Sequence, residues 1–309
     1  MACKPLPILS NMPWHVQQKI TGFTDPYTQM NLQLCSKDLR NAVNKAPSVY
    51  ESLKISLFLN TIEISMWSSS SSSKHLDVSF EKSDILEEAM KFLEKIFYKT
   101  PRSLVTVKEL TLELENSILQ IENDYEDLKS KFIHKLKSFG YFHANKLNLW
   151  ITASDEQIAS ALSMLHPGTL HSISIYCHTS PSGNRDVLFT ETAALEQWKK
   201  ARAFSCVGIR CIDPYDTWKH LEVGTLQVAV LNLETFRDLI ERFEKSTTWK
   251  IASWIIPDLD PAVLHFINQL EKIDNDGKFR LIRIPNCDTH EIHVIQQLKS
   301  VMLYKNPKE

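Results

Sequence analysis

The N-terminal residues 11–43 place apolar side chains at helical spacing, interrupted by residues that commonly begin helices. The first apolar stripe has members three or four positions apart: Val16, Ile20 and Phe23. Asp25 followed by Pro26 predicts a second helix start, because the carboxylate accepts backbone N–H groups and proline fits the first turn. Ser36 can begin a third helix. So short a segment has too much surface for its volume to bury all of its apolar side chains. We therefore expect the apolar face that stays uncovered to contact another domain or another protein.

From residue 80 onward, stripes with helical spacing alternate with short runs in which every second residue is apolar. Pro101 ends the first of these helices, and the leucines at 110, 112 and 114 then point one way, as in a strand. Further strands are predicted at residues 147–151, 170–175, 204–209, 226–233, 250–256 and 279–284. A last helix is predicted from Ile292, Ile295, Leu298 and Val301.

This order of helices and strands indicates an α/β fold. Two architectures give such an alternation: a doubly wound sheet, and a solenoid of the leucine-rich-repeat kind with strands on one face and helices on the other. Several strands carry a Leu/Ile-x-Leu/Ile step. The chain has only 7 glycines and lacks the clustered glycines of a nucleotide-binding turn. We therefore favour an irregular, leucine-rich-repeat-like α/β solenoid that follows a small all-helical N-terminal module.

A run of serines at residues 68–73 marks the predicted boundary between these parts. Low complexity of this kind is typical of a flexible loop or linker. The predicted organisation is a helical module at 9–50, a linker with the serine run at 51–78, and an α/β domain at 79–309.

The N-terminal segment resembles an F-box, the short helical module that docks on the Skp adaptor of cullin-based ubiquitin ligases. The matching residues are Met12, Pro13, Val16, Ile20, Asp25, Met30, Leu32, Leu39, Arg40, Asn41 and Val43. Thr24 and Gln29 depart from the pattern, since apolar residues are usual there, and Cys35 stands where valine is common. The resemblance implies that the Skp adaptor contacts Met12, Pro13, Val16, Ile20, Met30, Leu32 and Leu39. The alternative is a helical cap packed on the rest of the chain.

A second resemblance rests on two motifs in the α/β part. The first is Leu-His-Pro-Gly-Thr-Leu at 165–170, followed by Ile173 and Ile175, and the second is Leu-Glu-Gln-Trp-Lys-Lys-Ala at 195–201. In this order they resemble the FTH domain, which follows an F-box in a large family of nematode proteins. The resemblance implies an FTH domain from about residue 79 to the C-terminus. Neither motif carries residues suited to catalysis.

Composition and charge narrow the function classes. The balance of 43% hydrophobic and 23% charged residues is ordinary for a globular protein. A net charge of −2 argues against a nucleic-acid partner. No apolar run approaches the ~18–20 residues of a membrane span, so we expect no membrane partner. Residues 1–13 lack the apolar core of a signal peptide, so the six scattered cysteines are expected to be reduced thiols in the cytoplasm or nucleus.

Few residues suggest chemistry. Cys287, His290 and His293 are spaced like metal ligands, but a fourth ligand is not evident. Cys177 and His178 could pair as nucleophile and base, yet adjacent strand residues point to opposite faces. We therefore expect no catalytic residue, metal or cofactor, and a protein that is not an enzyme.

The resulting hypothesis is a substrate-receptor adaptor that joins a protein target to a cullin ligase through the Skp adaptor. The alternative is a scaffold that tethers partners without ubiquitin ligation. Outward strand residues of the solenoid would contact the target, because aromatic and Arg side chains suit interface anchors. The residues expected there are Trp150, Tyr176, Arg210 and Trp254. Trp150 and Trp254 could instead complete the core.

Overall fold

The computed structural model has a mixed α/β fold with two multi-stranded sheets and several helices, which confirms the predicted α/β class. It describes residues 12–22, 24, 28, 31–32, 35–45, 48–68, 75–81, 84–97, 105–114, 122–151, 154–177, 185–249, 251–256, 259–272, 279–282, 290–297 and 300–307. The chain divides into two compact units, one of Met1–Trp150 with Ser163–Leu170 and one of Ile151–Leu162 with His171–Glu309. No helix in the described residues is long and apolar enough to cross a membrane.

The first unit begins with helices and continues with a sheet. Its elements are α1 (Trp14–Gly22), α2 (Lys37–Lys45), β1 (Ser48–Leu57), β2 (Ile62–Ser68), β3 (His75–Phe80), α3 (Ile85–Phe97), β4 (Val105–Leu114), α4 (Glu122–Ser138) and β5 (His143–Ile151). The strands lie in the order β5-β4-β1-β2-β3. β1 runs parallel to β4 and antiparallel to β2, and β3 is antiparallel to β2.

The predicted linker at 51–78 differs from the structure, which places most of β1, all of β2 and part of β3 there. Alternate residues of β2 are buried, namely Ile62, Ile64 and Met66. This period of two is what a strand with one covered face requires. Of the serine run only Ser68 is described, as the last residue of β2, and residues 69–73 lie outside the described part of the chain. Because β1 pairs with β4 from Ser48 to Ser56, the strands before residue 79 support the strand that follows.

The second unit alternates strands and short helices before ending in antiparallel strands. Its first elements are α5 (Asp155–Leu162), β6 (Ser172–Tyr176), β7 (Arg185–Val187), α6 (Thr190–Ala194), α7 (Glu196–Lys200), β8 (Ala203–Val207), β9 (Ile209–Cys211) and a 3₁₀ turn (Tyr215–Thr217). The remainder are β10 (Glu222–Val223), β11 (Thr225–Val228), α8 (Leu233–Lys245), β12 (Ile251–Ile255), α9 (Pro261–Gln269), β13 (Glu271–Lys272), β14 (Phe279–Ile282), β15 (His290–Gln297) and β16 (Ser300–Pro307).

From β6 to β11, consecutive strands of this unit belong to different sheets. β6, β8 and β10 are parallel neighbours in one sheet, whereas β7, β9, β11 and β12 are parallel neighbours in the other. The chain passes from β8 to β9 at Gly208 and from β10 to β11 at Gly224. A strand that changes sheets in this way needs a sharp local bend.

The predicted C-terminal helix is wrong. β15 and β16 occupy that region and pair antiparallel from His290–Pro307 to Gln297–Ser300. The buried apolar residues are Ile292 and Val294 in β15, and Val301 and Leu303 in β16. Their period is two within each strand, and the helical spacing read from the sequence joined residues of two different strands.

We expect Gly208→Ala to lower the free energy of unfolding by about 3–5 kcal/mol. Gly208 has φ +81°, and a Cβ there would lie 1.8 Å from the carbonyl oxygen of Cys177. Gly140→Ala is the matched control, because Gly140 has φ +86° with nothing within 4 Å of the added atom. It should cost only about 1–2 kcal/mol for the left-handed backbone. Urea denaturation measures the free energy of unfolding of both variants. Equal losses would contradict the importance of the close approach between Gly208 and the Cys177 carbonyl group.

Candidate interaction surfaces

Helix α1 buries polar residues and leaves an apolar one outside. Thr21 and Gln17 are buried; the Thr21 hydroxyl donates to the carbonyl oxygen of Gln17 at 2.9 Å, and Gln17 Nε2 donates to the carbonyl oxygen of Met12 at 2.8 Å. Ile20 is 36% exposed. Val16, one turn earlier on the same side, is half-buried. The side of α1 that carries Val16 and Ile20 is therefore available to a partner.

The other residues predicted to contact the Skp adaptor have different environments. Pro13 is exposed, and Met12 and Leu32 are half-buried. Leu39 is buried in α2, as are Ala42 and Val43. Met30 lies outside the described residues. Leu39 therefore contributes to the core in this structure and does not present an outer surface.

The four residues predicted to contact a target differ in how exposed they are. Trp254 is fully buried, with its ring centroid 6.5 Å from that of Phe236 and 6.4 Å from that of Trp249. Its placement on an outward face was wrong, because the register of β12 turns Trp254 inward while Ile251 is exposed. Trp150 and Tyr176 are half-buried.

Arg210 lies on the outward side of β9 and is paired with Asp186 of β7. Its Nε and Nη2 donate to the two carboxylate oxygens at 2.5 and 2.6 Å, because the parallel register sets residue 186 opposite residue 210. The hydrogen bond from Arg210 lowers the pKa of Asp186. Both side chains are more than a third exposed, so the pair is expected to add little stability.

The sequence motifs of the α/β part serve packing. Trp198 is buried, stacks on Phe189 at 5.5 Å and contacts Phe204 edge-on at 4.8 Å. Its indole N–H donates to the carbonyl oxygen of Thr217 at 3.0 Å. In the other motif, His166 Nδ1 accepts the N–H of Gly168 at 3.1 Å and so closes the turn. These residues specify the fold and offer no reactive group.

Among the described residues, those considered for catalysis or metal binding do not assemble into such a site. No group of three or more metal-ligating side chains occurs among the residues that the structure describes, and Cys287 and His178 lie outside them. His293 is buried, with Nδ1 3.0 Å from the Tyr304 hydroxyl. Burial raises the pKa values of the Cys206 and Cys211 thiols, which makes them poor nucleophiles.

A groove of about 730 Å³ lies in the first unit between the start of α3 and the side of α4. Three of its charged residues form ion pairs: Glu87 lies 2.8 Å from Lys91, and Asp127 lies 2.5 Å from Lys131. Its lining has no nucleophile beside a base. The groove therefore shows no catalytic arrangement.

Comparison with known proteins identifies one domain. Residues 126–269 match the family model of the FTH domain, from within α4 to the end of α9, and both sequence motifs fall inside this range. The predicted FTH domain is confirmed over these residues. No curated protein and no solved structure matches the chain.

We expect Trp254→Ala to lower the free energy of unfolding by about 3–5 kcal/mol, because it removes a fully buried ring. Arg210→Ala should change it by less than about 1 kcal/mol, because the ion pair is exposed. Urea denaturation of both variants measures the difference. If Trp254→Ala lowers the free energy of unfolding no more than Arg210→Ala does, the Trp254 ring is not an essential part of the core.

Proposed function

We propose that this protein is a substrate-receptor adaptor of a cullin-type ubiquitin ligase, acting in the cytoplasm or nucleus. The N-terminal helices would dock on the Skp adaptor, and the FTH domain would hold a protein target. The observation that carries the proposal is the FTH domain at residues 126–269, a domain whose family suggests a role in protein interaction. It lies downstream of a helical segment that resembles an F-box.

The exposed side of α1 supports docking. An aliphatic side chain such as Ile20 gains free energy when a partner covers it, at roughly 25 cal/mol per Å² of apolar area. The adjacent side of α1 is closed by buried Gln17 and Thr21, each of which directly follows a residue of the side that carries Val16 and Ile20. A partner can therefore cover Ile20 without opening the contacts of α1 with the rest of the first unit.

The parallel strands support a solenoid-like target-binding domain. Within each sheet the parallel strands lie in chain order, β6, β8 and β10 in one sheet and β9, β11 and β12 in the other, although the chain alternates between the sheets from β6 to β11. Neighbouring strands connected in chain order are a feature of α/β solenoids. Such an arrangement would display the outward strand residues and the loops after the strands side by side.

A second candidate is a scaffold that tethers partners without ubiquitin ligation. Two observations favour it. Thr24 and Gln29 stand where an F-box usually has apolar residues, and Leu39 is buried within the chain. Both would reduce the apolar area available to the Skp adaptor.

We expect Ile20→Asp to weaken capture of purified Skp adaptor by tenfold or more, because a desolvated, unpaired carboxylate costs several kcal/mol. Ile20 is exposed, so the free energy of unfolding should change by less than about 1 kcal/mol. His15→Asp is the matched control: it adds the same charge to the same helix at another exposed position.

Pull-down of the Skp adaptor with full-length wild-type and variant chains measures this. Equal capture by wild type and Ile20→Asp would reject the docking face. If the wild-type chain itself captures no Skp adaptor, the ligase role is rejected and the scaffold role is favoured.

A further inference from the structure

The sheet of the first unit ends in a strand whose outer edge is open. β3 is 6 residues long and pairs with β2 on one side without a bulge, from His75 opposite Trp67 to Phe80 opposite Ile62. No strand among the described residues pairs with its other side. The other strands at sheet ends are short: β7 has 3 residues, and β10 and β13 have 2 each.

Proteins usually protect such an edge, because its unpaired backbone N–H and C=O groups can pair with another chain. The common protections are a very short strand, a lysine or proline within the strand, and a bulge. β3 contains neither lysine nor proline. Its one carboxylate, that of Asp77, protects the edge only if it meets a second negative charge on the added strand.

The apolar layer of the sheet is incomplete at β3. On the face that α3 covers, the residues of β2 are buried, but their partners in β3 are only half-buried, namely Leu76, Val78 and Phe80. The Phe80 ring lies 5.7 Å from that of Phe92 in α3, which is also half-buried. An added strand with apolar residues at alternate positions would cover the area that stays exposed.

The other face of β3 is polar. His75, Asp77 and Ser79 are exposed there. The His75 ring stacks on that of Trp67 with the centroids 6.1 Å apart, and its Nε2 lies 2.8 Å from an Asp77 carboxylate oxygen. These contacts hold the imidazole on the open face of the sheet, within reach of an added strand.

The segment around β3 is formally neutral. Residues 74–82 contain Lys74 and Lys82, which lie outside the described residues, and the two carboxylates of Asp77 and Glu81. Two copies of the segment therefore carry no net charge that would keep them apart.

A strand that pairs antiparallel with a second copy of itself has a two-fold axis perpendicular to the sheet. Residues opposite each other then lie on the same face, so the axis passes through a residue and not between two. Asp77 and Val78 are the two central residues of β3. An axis at Asp77 would set two carboxylates opposite each other, which is destabilising.

An axis at Val78 makes the strand complementary to itself. Its pairs among the described residues are Val78 with Val78, Leu76 with Phe80, Asp77 with Ser79, and His75 with Glu81. Apolar residues then meet apolar residues, the Asp77 carboxylate meets a hydroxyl group, and the imidazole meets a carboxylate. Asp77 therefore does not protect the edge against this register.

We infer that a second copy of this chain pairs with β3, antiparallel and about a two-fold axis at Val78. The paired strands join the sheets of the two first units into one and complete the apolar layer on the helix side. This goes beyond the proposed function and does not depend on it. An adaptor or a scaffold paired in this way would carry two FTH domains.

Sedimentation velocity of the full-length chain over a range of concentrations tests the pairing. A single strand edge makes a small interface, so we expect a dimer with a Kd on the order of 10 µM. Val78→Lys sets two like charges at the axis and should weaken dimerisation roughly tenfold or more.

An exchange of charge tests the register. His75→Glu and Glu81→Lys should each weaken dimerisation several-fold, because each removes the match between residues 75 and 81 at two places in the dimer. An equimolar mixture of the two variants should dimerise more tightly than either alone, since the new lysine then lies opposite the new glutamate. Glu156→Lys is the matched control: it makes the same change at an exposed position of the second unit, and should neither weaken dimerisation nor restore it in the mixture.

A cross-link locates the axis. Val78→Cys sets two thiols opposite each other, so oxidised glutathione should convert them into a disulfide between two chains. Ser79→Cys is the control, because residue 79 lies opposite Asp77. Non-reducing electrophoresis should show a covalent dimer for Val78→Cys well above that of Ser79→Cys and of wild type, whose exposed Cys35 sets the background.

Each result supports or overturns the inference. A wild-type chain that stays monomeric at about 100 µM would overturn it, and the edge would then be open to an extended segment of another protein. A dimer that Val78→Lys and the charge exchange leave unchanged would also overturn it, as would equal cross-linking at positions 78 and 79. Failure of the wild-type chain to capture the Skp adaptor would count against the ligase role alone.

Discussion

The close approach of Gly208 to the Cys177 carbonyl group is the constraint on which the second unit depends. At this point one stretch of chain ends β8 in one sheet and begins β9 in the other. The N–H of Cys177 still donates to the carbonyl oxygen of Val207 at 3.0 Å, so the ladder continues up to the bend. Only a residue without Cβ fits beside that carbonyl group, and its positive φ turns the chain. The positions of Arg210 and Ile212 follow from this turn.

Aromatic packing then fixes the layer beneath the strands. Phe189, Trp198 and Phe204 form one buried cluster, and Phe243, Trp249 and Trp254 take part in another. The Trp249 indole N–H donates to the carbonyl oxygen of Val223 at 2.7 Å. Large rings with a satisfied polar atom specify one arrangement of the strands. Trp198, within the second FTH motif, is a ring of this kind, since its indole N–H donates to the carbonyl oxygen of Thr217.

The surfaces available to partners are those that the packing within each unit leaves uncovered. In the first unit this is the side of α1 with Val16 and Ile20, next to buried Gln17 and Thr21. In the second unit, Leu188, Ile212 and Val230 are exposed aliphatic residues, each next to a buried residue.

The sequence by itself determined the α/β class, the strands β6, β8, β11, β12 and β14 of the second unit and the FTH motifs, because hydrophobic period and turn residues are local properties. Only the tertiary structure decided which face of each helix and strand is buried. The spacing of hydrophobic residues could not show that Trp254 turns inward, since an aromatic residue suits a core and an interface equally well. It could not separate a helix from two paired strands between Ile292 and Val301, or show that β1, β2 and β3 fill the predicted linker. Leu188 and Ile212 are distant in sequence, and only the parallel register of β7 and β9 makes them neighbours.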